Sequence, residues 1–206
     1  SCSYLGLELD PRLKAASIDA VERFGTQISS SRAYLSSPQY EELEHLLRQI
    51  FDAHVVVSAT TTLGHLSALP ILVGANDVVL LDQYVHSSVQ LTSSMLRANG
   101  TRVETIRHSD LSMLEDRVVA LAGSCDRVWY LADGVYSMGG DTAPIGSIQA
   151  LMDRHPQLHL YVDDAHGMSW RGPHGRGVAL ETYALHPRMV VTTSLSKSFA
   201  GGGGAI

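Results

Sequence analysis

The sequence predicts an α/β fold, a mostly parallel sheet covered by helices on both faces. Three observations predict it. Short β-branched runs recur at residues 54–58, 77–82, 102–106, 127–132, 158–163 and 189–193. Amphipathic stretches of helical length separate them at 61–73, 87–99, 110–121 and 145–155. The strand runs are apolar on both faces, as strands become when helices cover both sides of a parallel sheet.

Two helices are expected before this alternation begins. Asp10-Pro11 reads as an N-cap followed by proline at the first helical position, where its missing N–H costs nothing. Leu13, Ala16, Ala20, Val21 and Phe24 follow at helical spacing until Gly25 ends the run. A second helix follows Pro38, with Leu43, Leu46, Leu47 and Ile50 on its apolar face. Residues 1–50 are thus a helical lead-in and 51–206 an α/β domain, with no repeat or linker apart from the four glycines 201–204.

Composition narrows the function. With 206 residues, 45% hydrophobic and 17% charged, the chain can bury a substantial core. Its net charge is -6, from 15 basic and 21 acidic residues without a basic cluster, so it offers no electrostatic footprint for nucleic acid. Cys2 and Cys125 are far apart and lack zinc-ligand spacing, which suits a reducing, cytoplasmic setting. The longest apolar stretch, 68–75, contains a proline and is too short to span a bilayer. Residues 1–4 have no signal-peptide character, and the lack of an initiator Met suggests a piece of a longer protein.

In open parallel sheets ligands bind beyond the carboxyl ends of the strands, so the polar residues there are the informative ones. They are Ala59 to Thr62, Tyr84 to His86, Asp133 to Ser137, Asp163 to His166 and Ser194 to Lys197. Ala59 and Thr60 open a helix and would expose backbone N–H groups to a phosphate; helix capping by the threonines explains the same residues. Asp163 emerges from an apolar strand and wants a cationic partner, with His166 near the same ligand. A capping Asp and a core His is the plainer alternative. A metal on Asp163, Asp164 and His166 would lack an assigned ligand to complete its coordination, so none is expected. Lys197 lies between a buried strand and a glycine-rich loop, where a desolvated amine suits Schiff-base chemistry; a surface lysine in a flexible loop is the other reading.

Three blocks in order carry a family resemblance. Asp133-Gly134-Val135-Tyr136-Ser137-Met138-Gly139-Gly140-Asp141-Thr142-Ala143-Pro144 resembles E-G-V-F-S-M-D-G-D-x-A-P. Val162-Asp163-Asp164-Ala165-His166-Gly167, with Arg171 to Gly177, resembles V-D-E-A-H-x followed by G-x-x-G-R-G. Thr193-Ser194-Leu195-Ser196-Lys197-Ser198-Phe199 resembles G-T-L-S-K-A-F. Together they resemble the α-oxoamine synthases, pyridoxal-phosphate enzymes with the fold-type I large domain, an α/β/α sandwich.

The resemblance implies roles. Lys197 would carry pyridoxal 5'-phosphate as a Schiff base and later move the substrate Cα proton. Asp163 would pair with the pyridine nitrogen, His166 and Ser137 would hydrogen-bond around the phenolic oxygen, and His86 would stack on the ring. Ala59 and Thr60 backbone amides, Ser194 and Ser196 would hold the phosphate. The family reaction condenses an amino acid with an acyl-CoA or other acyl thioester, usually with decarboxylation, to an aminoketone. Family members are homodimers, and their chains continue into a small C-terminal domain that supplies the arginine gripping the substrate carboxylate. An aminotransferase or lyase on the same fold is an alternative. So is a noncatalytic partner subunit, against which Lys197, Asp163, His166 and His86 argue.

The chain departs from the family pattern at Tyr40, where histidine is usual, in the 27–30 lead-in to Ser31-Arg32, and in the loop after Ser58, which lacks a glycine and an aromatic residue. These positions fall on the expected acyl and substrate side.

Overall fold

In a computed structural model, which describes residues 2–27, 31–182 and 184–206, the expected helices form almost end to end. They are α1 (Pro11–Phe24), α2 (Pro38–Phe51), α3 (Thr61–Leu72), α4 (Ser87–Ala98), α5 (Leu111–Ala120) and α6 (Ile145–Arg154). Residues 28–30 of the lead-in to Arg32 lie outside the described residues. Helix starts follow their capping residues. Asp10 accepts the Arg12 N–H, Thr60 Oγ1 that of Leu63, and Asp110 that of Met113.

The strands are β1 (Val57–Ser58), β2 (Val78–Asp82), β3 (Arg102–Ile106), β4 (Val128–Asp133), β5 (Leu158–Asp163), β6 (Met189–Ser194) and β7 (Gly204–Ala205). They form one sheet in the order β1-β7-β6-β5-β4-β2-β3. β2 to β6 pair in parallel, whereas β7 runs antiparallel to both β6 and β1. Two differences from the sequence reading meet here. β1 spans two residues rather than 54–58, pairing Val57 with Ala205 and Ser58 with Gly204, while Val56 and Ile206 exchange backbone hydrogen bonds beside it. β7 itself falls at the end of the glycine run, where no side-chain pattern announces a strand.

The period-two alternation of strands divides the core in two. Leu80, Tyr130, Leu160 and Val162 point to one face and pack with α2, α5 and α6 through Leu47, Leu114, Val118, Ile148 and Met152. Val79, Leu81, Trp129, Leu131 and Tyr161 point to the other and pack with α3 and α4 through Leu69, Val89 and Leu96. Leu47 and Phe51 of α2 thus share the main core, while α1 buries none of its residues. Among the described residues no helix is long and apolar enough to cross a membrane.

β7 reaches its place by close approach to α3. A Cβ on Gly204 would lie 2.7 Å from both the N and Cα of Thr61, and backbone cannot yield as a side-chain tip can. Gly204→Ala is therefore expected to lower stability by about 1–3 kcal/mol; denaturant unfolding checks this, and an unchanged midpoint would contradict the packing.

Candidate active site

Because β2, β4, β5 and β6 are parallel, their carboxyl ends share one edge and deliver Asp82, Asp133, Asp163 and Ser194 to it. Asp133 and Asp163 are register partners on adjacent strands, and both are buried. The Asp163 Oδ2 lies 3.0 Å from His65 Nε2, and its Oδ1 accepts the Ala165 N–H at 3.1 Å. The Asp133 carboxyl accepts the His86 backbone N–H at 3.0 and 3.2 Å.

Their charges differ accordingly. Burial, then the neighbouring Asp163 charge, pushes the Asp133 carboxyl up to about 8. Burial presses Asp163 upward too, but the hydrogen bond and charge of His65, the Ala165 N–H and the Lys197 charge outweigh it, leaving Asp163 below its ordinary value. The half-buried Lys197 amine is lowered by desolvation, against the opposing pull of Asp163 and Asp133. Of the register pair, Asp133 is therefore the neutral acid and Asp163 the carboxylate, beside an amine that sheds its proton more easily than a solvated lysine.

The loop carrying Lys197 is folded on itself. Leu195 N–H donates to the Gly203 carbonyl at 3.0 Å, Gly201 N–H to that of Leu195 at 2.9 Å, and Ala200 N–H to that of Lys197 at 3.0 Å. Gly203, at φ 111°, takes a conformation suited to glycine. Lys197 thus lies in a hydrogen-bonded turn.

Ser194 Oγ lies 3.0 Å from Ser196 Oγ and accepts the Ser196 N–H at 3.2 Å. Thr61 Oγ1 donates to the Thr193 carbonyl at 3.2 Å, bringing the start of α3 beside these serines. Thr60 uses its hydroxyl as the α3 cap, as the plainer reading held, and Ala59 and Thr60 are exposed. The helix start, with first-turn N–H groups that lack intrahelical partners, and the two serines together suit a phosphate.

His166 is half-buried, and burial, followed by the Lys197 charge, lowers it to about 4, so it is neutral at pH 7. Its Nδ1 is 2.5 Å from the Tyr4 hydroxyl, and its carbonyl accepts the Trp170 Nε1–H at 2.5 Å. His86 is exposed; its Nδ1 lies 2.7 Å from Ser88 Oγ and caps α4. Ser137 is exposed at the head of the turn after Val135 and, among the described residues, forms no hydrogen bond with the other candidates. Tyr40 packs on the core with the Arg32 guanidinium 4.9 Å above its ring, while Arg32 bonds the Val57 carbonyl at 2.6 Å and pairs with Glu44.

Asp164 turns away from this edge. Its Oδ2 accepts the Ala179 N–H at 2.9 Å, and a Cβ on Gly134, Gly167 or Gly177 would fall 2.2–2.3 Å from its carboxylate. Among the described residues no group of three or more His, Cys, Asp or Glu is placed to hold a metal. The structure adds residues the sequence did not mark: His65 on Asp163, and Tyr4 on His166 from 162 positions away. Only proximity in the fold reveals either.

His166 titrates far below an ordinary histidine in this arrangement. Folding stability from this group is present above pH 6.5 and is lost as pH falls toward 4, because the unfolded chain takes up the proton first. Histidine NMR of the cofactor-free protein should place the His166 midpoint near pH 4; an ordinary midpoint near 6.5 would contradict its burial.

The aminotransferase class I and II family model matches residues 4–206. An 8-amino-7-oxononanoate synthase of Herminiimonas arsenicoxydans is 35% identical over 212 residues, covering 100% of this chain and 52% of its own. A serine palmitoyltransferase of Bacteriovorax stolpii is 34% identical over 208 residues, covering 100% and 49%. The solved serine palmitoyltransferase of S. paucimobilis superposes with a TM-score of 0.89 at 28% identity, covering 100% and 52%. The chain spans about half the length of the curated relatives it matches. It belongs to the aminotransferase class I and II family, within its α-oxoamine synthase group.

Proposed function

We propose that a full-length protein containing this chain is a pyridoxal 5'-phosphate-dependent acyltransferase that joins an amino acid to an acyl-CoA or other acyl thioester. The product is an aminoketone, usually formed with loss of carbon dioxide. One observation carries the reading: a half-buried amine, Lys197, and a buried carboxylate, Asp163, occupy one strand-edge site. The names of the relatives supply the reaction class.

The donor set fits the cofactor. Lys197 offers an amine for its aldehyde, Asp163 an anion for its pyridine nitrogen, and the α3 start with Ser194 and Ser196 donors for its phosphate. His166 and Ser137 would hydrogen-bond at the phenolic oxygen, and His86 would lie against the ring. When bound, the cofactor supplies an electron sink for negative charge at the substrate Cα.

The residues of the chain do the rest. Lys197 Nζ, whose hold on a proton desolvation weakens, would take up the proton from the substrate Cα. Asp163, kept charged, holds a proton on the pyridine nitrogen. Neutral His166 accepts or donates a hydrogen bond without adding a charge. In the net reaction a bond forms between Cα and the acyl carbonyl carbon, and the thiolate leaves as coenzyme A.

The protein is further proposed to be a homodimer with a small C-terminal domain, both carried from the family resemblance. In that reading residues 51–206 serve as the cofactor-binding large domain and 1–50 as its lead-in. A cytoplasmic setting is supported by the free cysteines Cys2 and Cys125.

Borohydride should fix the cofactor on Lys197 in the full-length protein, and Lys197→Ala should cut turnover by about 10²–10⁴-fold. Amino-acid-dependent release of coenzyme A from an acyl-CoA separates acyl transfer from transamination. Fixation elsewhere, or no such release, would contradict the proposal.

A further inference from the structure

His65 is fully buried on α3, in the layer formed with Leu69 and Tyr161. Its Nδ1 lies 2.8 Å from Tyr161 Oη and its Nε2 3.0 Å from Asp163 Oδ2. Tyr161 and Asp163 are two residues apart on β5, so the strand presents both to the same face, and one imidazole spans them. The His65 and Tyr161 rings meet edge to face, centroids 5.7 Å apart at 61°. Both ring nitrogens are therefore satisfied, as burial of an imidazole demands.

The phenol decides which way the ring donates. Burial, then the Asp163 charge, raises the Tyr161 hydroxyl, so it keeps its proton and can donate to Nδ1. A neutral His65 that accepts there carries its own hydrogen on Nε2, facing Asp163; a protonated His65 carries one there as well. The groups facing Asp163 are His65 from α3, Tyr161 from β5, Asp133 from β4, Asp164 and His166 beyond β5, and Lys197 after β6. Asp133 and Asp164 disfavour charge on Asp163; Lys197 and His65 favour it. Lys197 is the group that would be occupied by chemistry, which leaves His65 as the fixed one.

We propose that His65, set by Tyr161, is a positioning residue whose Nε2–H fixes the Asp163 carboxylate in place and in charged form, for pairing with the pyridine nitrogen. This rests on the cofactor assignment above. His65 touches neither cofactor nor substrate; it acts through Asp163.

The test titrates pyridoxal 5'-phosphate into the full-length protein and follows the visible absorbance of the bound cofactor across pH. Wild type is compared with His65→Leu, His65→Gln and Tyr161→Phe. His65→Leu leaves a buried carboxylate oxygen unpaired and should weaken affinity by roughly ten-fold or more, with a shifted pH profile. His65→Gln, with an amide N–H for the same oxygen, should stay within about three-fold. Tyr161→Phe should fall between them, and this pair of variants carries the test if His65→Leu does not fold. Lower melting temperatures with unchanged affinity and pH profile would overturn the positioning role alone. No uptake by wild type would overturn the cofactor assignment and this proposal with it.

Discussion

Two buried carboxyl groups stand side by side at the ends of β4 and β5, and so little water reaches them that at neutral pH only one is charged. Adjacent strands are about 5 Å apart, and two unit charges at that distance repel by about 3 kcal/mol at an effective dielectric near 20. One hydrogen bond to a charged group returns about 1.5–3 kcal/mol. Such a bond cannot sustain both charges, but it suffices to choose between them. His65 and the Ala165 N–H favour Asp163, and Asp133 takes the proton.

The rest of the site follows from that choice. The negative charge of Asp163 pulls the Lys197 amine toward its protonated form, while desolvation pushes it the other way and prevails. His166, desolvated and near the same amine, stays neutral. Close packing holds these groups. Gly204 admits β7 against α3, and Gly134, Gly167 and Gly177 close around Asp164, anchoring the segment that joins Asp163 to the 167–179 loop. Positioning is what the protein adds to a cofactor that carries its own chemistry.

Much of this was legible in the sequence, because most elements advertise themselves locally. The proline starts of α1 and α2, the periodic faces of α3 to α6 and the apolar runs of β2 to β6 read correctly from neighbours a few residues apart. The placement of Asp163, Lys197 and His166 at one edge followed from the rule that parallel strands share their carboxyl ends. β7 did not read, because Gly204 and Ala205 at the end of a glycine run carry no side-chain pattern, and β1 was overdrawn at 54–58 where the strand is Val57–Ser58. His65 carries no mark in the sequence, because its partner is 98 residues away. The pairing of Asp133 with Asp163 depends on strand order and register, which composition does not encode.

The division of charge between the two carboxylates is the claim on which the account stands, and carboxyl carbon NMR of the cofactor-free protein measures it directly. With aspartate labelled at the side-chain carbon and assigned through Asp133→Asn and Asp163→Asn, Asp163 should remain ionised from mildly acid pH upward, while Asp133 titrates near pH 8. Two carboxylates both ionised at neutral pH, or a proton residing on Asp163 instead, would contradict it.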